Sequence, residues 1–233
     1  MKNVLLAFCL VLSFNSCETL SKIPGLPLPV SEAEAGQGIQ EALAQGVSTA
    51  ILSLNKEDGF FGNNLYKIFL PAEAQKLEST LRNIGLGNQV DKAILQINRA
   101  AEDAVGYAKP IFKDAILQMT LTDALGIVKG EKNAATNYFR EKTFSRLVEA
   151  FKPSIQQSLD KLNATKYYTD IVNIYNKLPT TTKKVNPDLA GYVVEKSTNA
   201  LFDQIAKEEE NIRANPFART TDILKRVFGA KWN

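Results

Sequence analysis

Apolar residues recur at steps of three and four positions along most of the chain from Ser31 onward, and this spacing decides the fold class. An α-helix has 3.6 residues per turn, so such spacing produces one apolar face that must be buried against other helices. We therefore predict an all-α fold: a single bundle-like domain of about ten helices over residues 31–233. The first helix carries the pattern at Ile39, Leu43, Val47, Ala50, Ile51 and Leu54.

Proline and glycine residues mark the ends of the first helices. Pro71 is expected to open a helix that ends at Gly85, because proline is favoured at the first helical position. A longer helix is expected to begin at Asn88 and to be interrupted at Pro110, and a further helix then reaches Met119. Residues 57–70 are less regular and predict a loop or a short hairpin.

The second half of the chain continues the helical pattern. Thr122 is expected to cap a short helix that stops at Gly130, and residues 133–151 form the next helix, after which Pro153 opens another. The longest helix is predicted over residues 186–214. In the first helix, Gly and Ala residues favour close approach of a neighbouring helix. Two shorter helices are predicted over residues 166–178 and 221–228.

The N-terminus has the composition of an export signal. Lys2 is followed by an apolar run that ends near Leu12, and this run is too short to cross a bilayer, which takes about 20 residues. Cys17 follows a small residue, Ser16, in an arrangement that resembles the lipobox of bacterial lipoproteins, although Phe14 stands where leucine is usual. We predict a signal peptide over residues 1–16 and a lipid on Cys17.

A proline-rich segment separates Cys17 from the helical pattern. Three prolines surround Gly25 in residues 17–30, which favours an extended chain rather than a helix. At about 3.1 Å per residue, such a tether holds a domain up to roughly 40 Å from a lipid surface. The alternative is that its apolar residues pack onto the domain as an extended arm.

Composition excludes several classes of function. The chain has no histidine, which removes the usual general base and the usual zinc ligands, and we predict no metal and no cofactor. The formal net charge of +3 falls to +2 when Lys2 leaves with the signal peptide, so a nucleic-acid partner is not expected. Cys9 leaves as well, and the folded part then has no possible disulfide.

Polar residues on the apolar stripes are the candidate site. Asn98 and Glu102 fall on the buried side of the helix that begins near Asn88, beside an exposed i, i+4 pair of Arg99 and Asp103. Glu209 also points inward, and Arg213 follows it four positions later. Because a buried charge requires a partner, we expect Glu209 and Arg213 to satisfy one another or a second helix.

The polar residues permit two interpretations. In one, a single pocket contains Asn98, Glu102, Asp123, Glu209 and Arg213, and two of its carboxylates divide acid and base roles. In the other, Asp123 stabilises the start of its helix, while Glu102 and Glu209 join structural ion pairs. The spacing alone does not decide between them.

Four blocks of sequence carry a family resemblance: DGFFGNNLYKIFLP, INRAAEDAVGYAKPIF, LQMTLTDALGIVKGEKNAATNYFREKT and IAKEEENIRANPFARTTDILKRVFG. Together they resemble the bacterial family called domain of unknown function 4197. The resemblance covers nearly all of residues 31–229 and implies an exported or envelope-associated protein. It implies no activity and no catalytic residues.

We therefore expect a lipoprotein of the bacterial cell envelope, anchored by lipid and facing the periplasm from the outer membrane. Its predicted role is non-enzymatic: it binds a partner protein or a small apolar ligand between its helices, which requires a cavity of roughly 300 Å³ or more. A histidine-free hydrolase of envelope polymers is one alternative, and a purely structural or stress-related lipoprotein is another.

Overall fold

The computed structural model describes residues 30–71, 74–161, 163–177, 179 and 184–229. All regular elements of this part are helical, which confirms the predicted all-α class, and the described residues contain no strand. The predicted signal peptide over residues 1–16 and the tether over residues 17–30 lie outside the described residues, apart from Val30. The α-helices are α1 Glu32–Leu54, α2 Gln75–Asn83, α3 Gly87–Val105, α4 Ala108–Leu117, α5 Leu121–Lys129, α6 Ala134–Asp160, α7 Ala164–Lys177, α8 Leu189–Ala214 and α9 Asp222–Gly229.

Two long helices, α6 and α8, form the centre of the fold. They pack against each other, and α1, α3 and α4 pack around them. Three buried phenylalanines meet between α4, α6 and α8: the ring of Phe112 lies edge-on to Phe139, with centroids 5.1 Å apart, and to Phe202, at 6.1 Å. Aromatic pairs in this geometry stabilise a core beyond their buried area.

The buried residues of α1 match its predicted pattern. Ser31 caps it, and Glu34 returns a hydrogen bond to the backbone of Ser31, which forms a capping box. A different helix of the same chain approaches each of its glycines: α5 at Gly36, α9 at Gly38 and α8 at Gly46. A side chain at Gly38 would meet Val227, with its Cβ 2.5 Å from Val227 Cγ2, so only glycine permits this packing distance.

Pro153 was predicted to open a new helix, and this prediction is wrong. The residue lies within α6, on its exposed side. The helix continues because its buried stripe continues past the proline, with Leu147, Phe151, Ile155 and Leu159 four positions apart and fully buried. Burying this stripe outweighs the hydrogen bond that proline cannot make. α6 is therefore the longest helix, at 27 residues against 26 for α8.

Two other helix boundaries differ from the prediction. α2 begins at Gln75 rather than at Pro71, because the chain first forms a turn in which Ala74 N–H donates to Pro71 C=O. The break after α3 falls at Gly106 rather than at Pro110, which lies in the first turn of α4, where an N–H group has no partner within the helix. Residues 57–70 form a loop, so the hairpin alternative is wrong for them.

Candidate functional site

Glu209 of α8 joins the ends of two other helices. Its Oε1 accepts a hydrogen bond from the N–H of Ala135 at 3.0 Å, and its Oε2 accepts from the N–H and the hydroxyl of Thr136 at 2.9 and 2.8 Å. Arg213 lies 2.8 Å from Glu209 and donates also to the carbonyl of Ile127, near the end of α5. The predicted inward pair of Glu209 and Arg213 is confirmed, and it fastens α5, α6 and α8 together.

Asn98 of α3 is fully buried and holds one residue of the loop over residues 57–70. Its Oδ1 accepts from the N–H of Ile68 at 2.8 Å, and its Nδ2 donates to the carbonyl of Ile68, also at 2.8 Å, and to the carbonyl of Ile94. Both backbone polar groups of Ile68 are thus bonded to one side chain. The prediction that Asn98 borders the buried stripe is confirmed.

Glu102 holds the same loop one turn further along α3. Its Oε1 accepts from the backbone N–H groups of Phe60 and Phe61 at 3.0 and 3.1 Å, and its Oε2 lies 2.6 Å from the guanidinium of Arg99. Arg99 also pairs with Asp58, at 2.9 Å. The predicted pair of Arg99 with Asp103 is therefore replaced by ion pairs that connect α3 to the loop.

Asp123 belongs to the cap of α5. Thr120, and not the predicted Thr122, is the capping residue: its hydroxyl accepts from the N–H of Asp123 at 3.1 Å, and Asp123 accepts from the N–H and the hydroxyl of Thr120. These hydrogen bonds hold the pKa of the Asp123 carboxyl below its ordinary value. Asp123 thus has the capping role of the second interpretation.

The hydrogen bonds of the five candidate residues form three sets that share no member. Asn98 and Glu102 hold the loop, Glu209 and Arg213 join three helices, and Asp123 pairs with Thr120 in the capping box of α5. Both buried carboxylates already accept three or more hydrogen bonds from protein groups. In the described part of the chain these residues are engaged in structure, and they do not present two free carboxylates to a cleft.

A small apolar cavity lies beside Glu209 and Arg213, between α1, α6 and α8. Its volume is about 20 Å³, and Leu43, Val47 and Phe139 are among the residues that line it. A cavity of this size has room for about one water molecule, whereas a small apolar ligand requires roughly 300 Å³ or more. This cavity does not accommodate such a ligand.

A larger groove lies on the surface between the loop and α8. It encloses about 410 Å³. Burial alternates along the loop beside it: Tyr66 and Ile68 are buried, whereas Leu65 and Phe69 are 75% and 55% exposed. We call five of the residues that line this groove the loop surface: Leu65, Lys67, Phe69, Tyr192 and Lys196.

Hydrogen bonds between the loop and α8 fix the shape of the groove. The hydroxyl of Tyr66 donates to Asp203 at 2.7 Å and accepts from Lys207 at 2.7 Å, and Lys207 pairs with Asp203 at 2.9 Å. Burial raises the pKa of Tyr66, while the hydrogen bond from Tyr66 lowers the pKa of Asp203. The hydroxyl of Tyr192 donates to the carbonyl of Phe69 at 3.2 Å.

The loop surface combines aromatic rings with cations. Lys67 Nζ lies 4.0 Å from the ring centroid of Phe61 and 5.5 Å from that of Phe69, and Lys196 Nζ lies 5.5 Å from that of Tyr192. Phe69 also borders a second groove, of about 310 Å³, on its other side towards α2. The loop surface therefore offers exposed apolar side chains, two ammonium groups and concave flanks.

The helical periodicity did not reveal this surface. The relevant signal is the two-residue alternation from Leu65 to Phe69, in which every second side chain faces inward. It lies inside the DGFFGNNLYKIFLP block, where only a loop or a hairpin was predicted. The α8 partners Asp203 and Lys207 carry no sequence signal that connects them to Tyr66, about 140 positions earlier.

Two further properties concern the described residues alone. None of their helices is both long enough and apolar enough to cross a membrane. Their acidic side chains do not form a group of three or more that could bind a metal ion, and this part of the chain contains neither cysteine nor histidine.

Comparison with known proteins identifies the family. No curated protein and no solved structure matches the chain. The model of a family described as "Protein of unknown function (DUF4197)" matches residues 29–229, which includes the loop, α3 and α8. The match covers most of the chain, and the protein belongs to this family, domain of unknown function 4197.

Proposed function

We propose that this protein is a lipid-anchored protein of the bacterial envelope that binds a partner protein through the loop surface and has no enzymatic activity. The observation that carries the proposal is a loop held by buried polar side chains of α3 while it exposes Leu65 and Phe69. A loop of this length inside a compact domain is usually functional. Burying Asn98 and Glu102 to hold it is consistent with such a role.

Three other functions have less support. A hydrolase requires two carboxylates about 5–9.5 Å apart that line an open cleft, whereas Glu102 and Glu209 are enclosed by hydrogen-bond donors. A carrier of a small apolar ligand requires more space than the cavity of about 20 Å³ beside Glu209. A purely structural lipoprotein does not require an exposed, rigidly held loop.

The lipid anchor is supported by the N-terminal sequence, in which Cys17 follows a charged residue, an apolar run and a small residue. The chains of a mature lipoprotein hold a protein at a bilayer durably, because each additional chain adds buried hydrocarbon. Cys17→Ala is expected to abolish labelling by a clickable fatty acid and to release the protein from membranes. Undiminished labelling of this variant contradicts the anchor.

Site-specific photo-crosslinking in cells tests the partner. A photoreactive amino acid at position 65 or 69 is expected to form a discrete crosslinked product, and Phe69→Ser is expected to abolish the product formed from position 65. Leu52, which is 66% exposed on α1, provides the matched control position and is expected to give no product. The absence of a product at positions 65 and 69, or the same product at position 52, contradicts partner binding by the loop surface.

A further inference from the structure

We propose that the partner segment that binds the loop surface is acidic: its carboxylates pair with Lys67 and Lys196, and its apolar side chains pack against Leu65 and Phe69. This inference rests on the proposed function and specifies the chemistry of the partner. Its basis is the charge, the apolar exposure and the backbone hydrogen bonding of the groove.

The groove has a net positive charge, because Asp203 is paired with a lysine outside the loop surface, whereas Lys67 and Lys196 have no carboxylate partner among the described residues. Asp203, the acidic residue that lines the groove, already pairs with Lys207 at 2.9 Å and accepts from Tyr66. The ion pairs of the described residues include no carboxylate partner for Lys67 or Lys196, whose ammonium groups lie over aromatic rings. A carboxylate that enters the groove therefore meets two available cations.

The apolar part of the recognition comes from the two exposed side chains that flank Lys67. Leu65 and Phe69 belong to a loop whose backbone is held by hydrogen bonds to the side chains of Asn98 and Tyr192. A preorganised surface loses little conformational entropy on binding, so a small contact area yields more affinity than it does on a mobile loop. Central apolar contacts with surrounding charges are typical of protein interfaces.

The hydrogen bonds of the loop backbone disfavour one common mode of peptide recognition, the addition of a strand. Both polar groups of Ile68 are bonded to Asn98, and the carbonyl of Phe69 accepts from Tyr192. An added strand has to pair with free N–H and C=O groups at the edge it joins, and these three groups are not free. Side chains are therefore expected to provide most of the specificity, including the charge of Lys67 and Lys196.

The concave shape favours a protein segment over a lipid surface. The loop and α8 line an open groove of about 410 Å³, which has room for side chains of a bound segment. A bilayer surface is flat on this scale and does not enter a groove between a loop and a helix. The alternative occupant is an anionic membrane, and the experiment described below tests for it as well.

The experiment uses purified full-length protein in detergent and two fluorescently labelled nine-residue peptides. One peptide alternates aspartate with leucine and phenylalanine, and the other has lysine in place of every aspartate. Fluorescence anisotropy is expected to show that the protein binds the acidic peptide at least about tenfold more tightly than the basic one, since close charge pairs across an interface contribute this much or more. Binding is expected to weaken as salt is raised.

Charge reversal provides the decisive comparison. The double variant Lys67→Glu, Lys196→Glu is expected to lose at least about tenfold in affinity for the acidic peptide and to prefer the basic peptide. The matched control reverses two exposed lysines of α4, Lys109→Glu and Lys113→Glu, and is expected to bind as the unchanged protein does. Circular dichroism confirms that both double variants are folded.

The possible outcomes separate the inference from the proposed function. Equal binding of both peptides, or acidic-peptide binding that survives the reversal of Lys67 and Lys196, overturns the acidic partner. If the reversal also leaves the crosslink from position 65 intact while Phe69→Ser abolishes it, partner binding stands and the charge inference fails. Binding to vesicles of 30% phosphatidylglycerol in phosphatidylethanolamine but not to the peptides, lost on the same reversal, assigns the lysines to a membrane and also overturns the inference.

Discussion

The carboxylate of Glu209 lies directly in front of the first turn of α6, where its Oε2 accepts hydrogen bonds from both the backbone N–H and the hydroxyl of Thr136. Helices usually receive such an acceptor from the residue that precedes them. Asn133, the residue that precedes α6, provides no such side-chain hydrogen bond. A residue 73 positions later in the chain therefore caps α6 and carries a negative charge to the positive end of its dipole.

Glu209→Gln is expected to lower the free energy of unfolding by about 3 kcal/mol, because it leaves the largely buried guanidinium of Arg213 without its counter-ion. Urea denaturation measures this change. Glu210→Gln is the matched control, since Glu210 pairs with Lys132 at the surface and such pairs contribute less than about 1 kcal/mol. Equal losses in the two variants contradict the structural role of Glu209.

Thr120→Ala is expected to destabilise the protein by about 1 kcal/mol, because it removes the hydroxyl that caps α5. Thr122→Ala changes an exposed residue inside the first turn of the same helix and is expected to cost less than about 0.5 kcal/mol. Thermal unfolding of both variants gives the comparison. A larger loss for Thr122→Ala contradicts the position of the cap.

Asn98→Ala is expected to release the loop, because the N–H and the carbonyl of Ile68 lose their common partner. Leaving such groups unsatisfied in a buried position costs about 1–3 kcal/mol for each group. Hydrogen exchange measured by NMR is expected to show faster exchange of the Ile68 amide, with unchanged protection of the Leu147 amide in α6. Unchanged protection of the Ile68 amide contradicts the role of Asn98 in holding the loop.

Tyr66→Phe is expected to raise the pKa of the Asp203 carboxyl towards its ordinary value, because the hydrogen bond from Tyr66 is the main cause of its lowering. A carboxyl whose pKa is lower in the folded state stabilises the fold above its unfolded pKa of about 3.9, and this contribution is lost as pH falls through the folded pKa. The variant is therefore expected to lose less stability than the unchanged protein when acidified from pH 5 to pH 2.

A ¹³C NMR titration of the Asp203 carboxyl measures this pKa directly. The matched control is Tyr192→Phe, which removes the hydroxyl that donates to the carbonyl of Phe69 on the same loop. The control is expected to leave the Asp203 titration unchanged. An equal shift in both variants assigns the effect to movement of the loop rather than to the hydroxyl of Tyr66.

The sequence predicted the helices where periodicity and burial agree. In α1, the residues with the predicted apolar spacing, from Ile39 to Leu54, are buried. The predicted inward orientation of Asn98, Glu102 and Glu209 is confirmed by their burial. These predictions succeed because a helix has one repeat, and a residue's phase decides which side it occupies. The partners of buried polar residues depend on how helices pack, so spacing did not identify them.

The errors have local causes. At Pro153, the apolar stripe that continues to Ile155 and Leu159 determines the structure more strongly than the proline does, and the helix runs on. At α5, the Thr120-x-x-Asp123 spacing of a capping box was present in the sequence and identifies the correct cap. The cluster of Tyr66, Asp203 and Lys207 connects a loop to a helix far along the chain, and no rule for neighbouring residues predicts it.

The packing of α9 onto α1 has a consequence for biogenesis. Arg226 pairs with Glu34 at 2.9 Å, and Leu224 completes a small apolar cluster with Ala42 and Ile212. The earliest described helix is thus covered by a segment that a ribosome synthesises much later, since Arg226 follows Glu34 by 192 positions. Until that segment emerges, α1 exposes apolar surface, so a truncated polypeptide that ends before Leu224 lacks this covering and becomes a substrate for quality-control proteases.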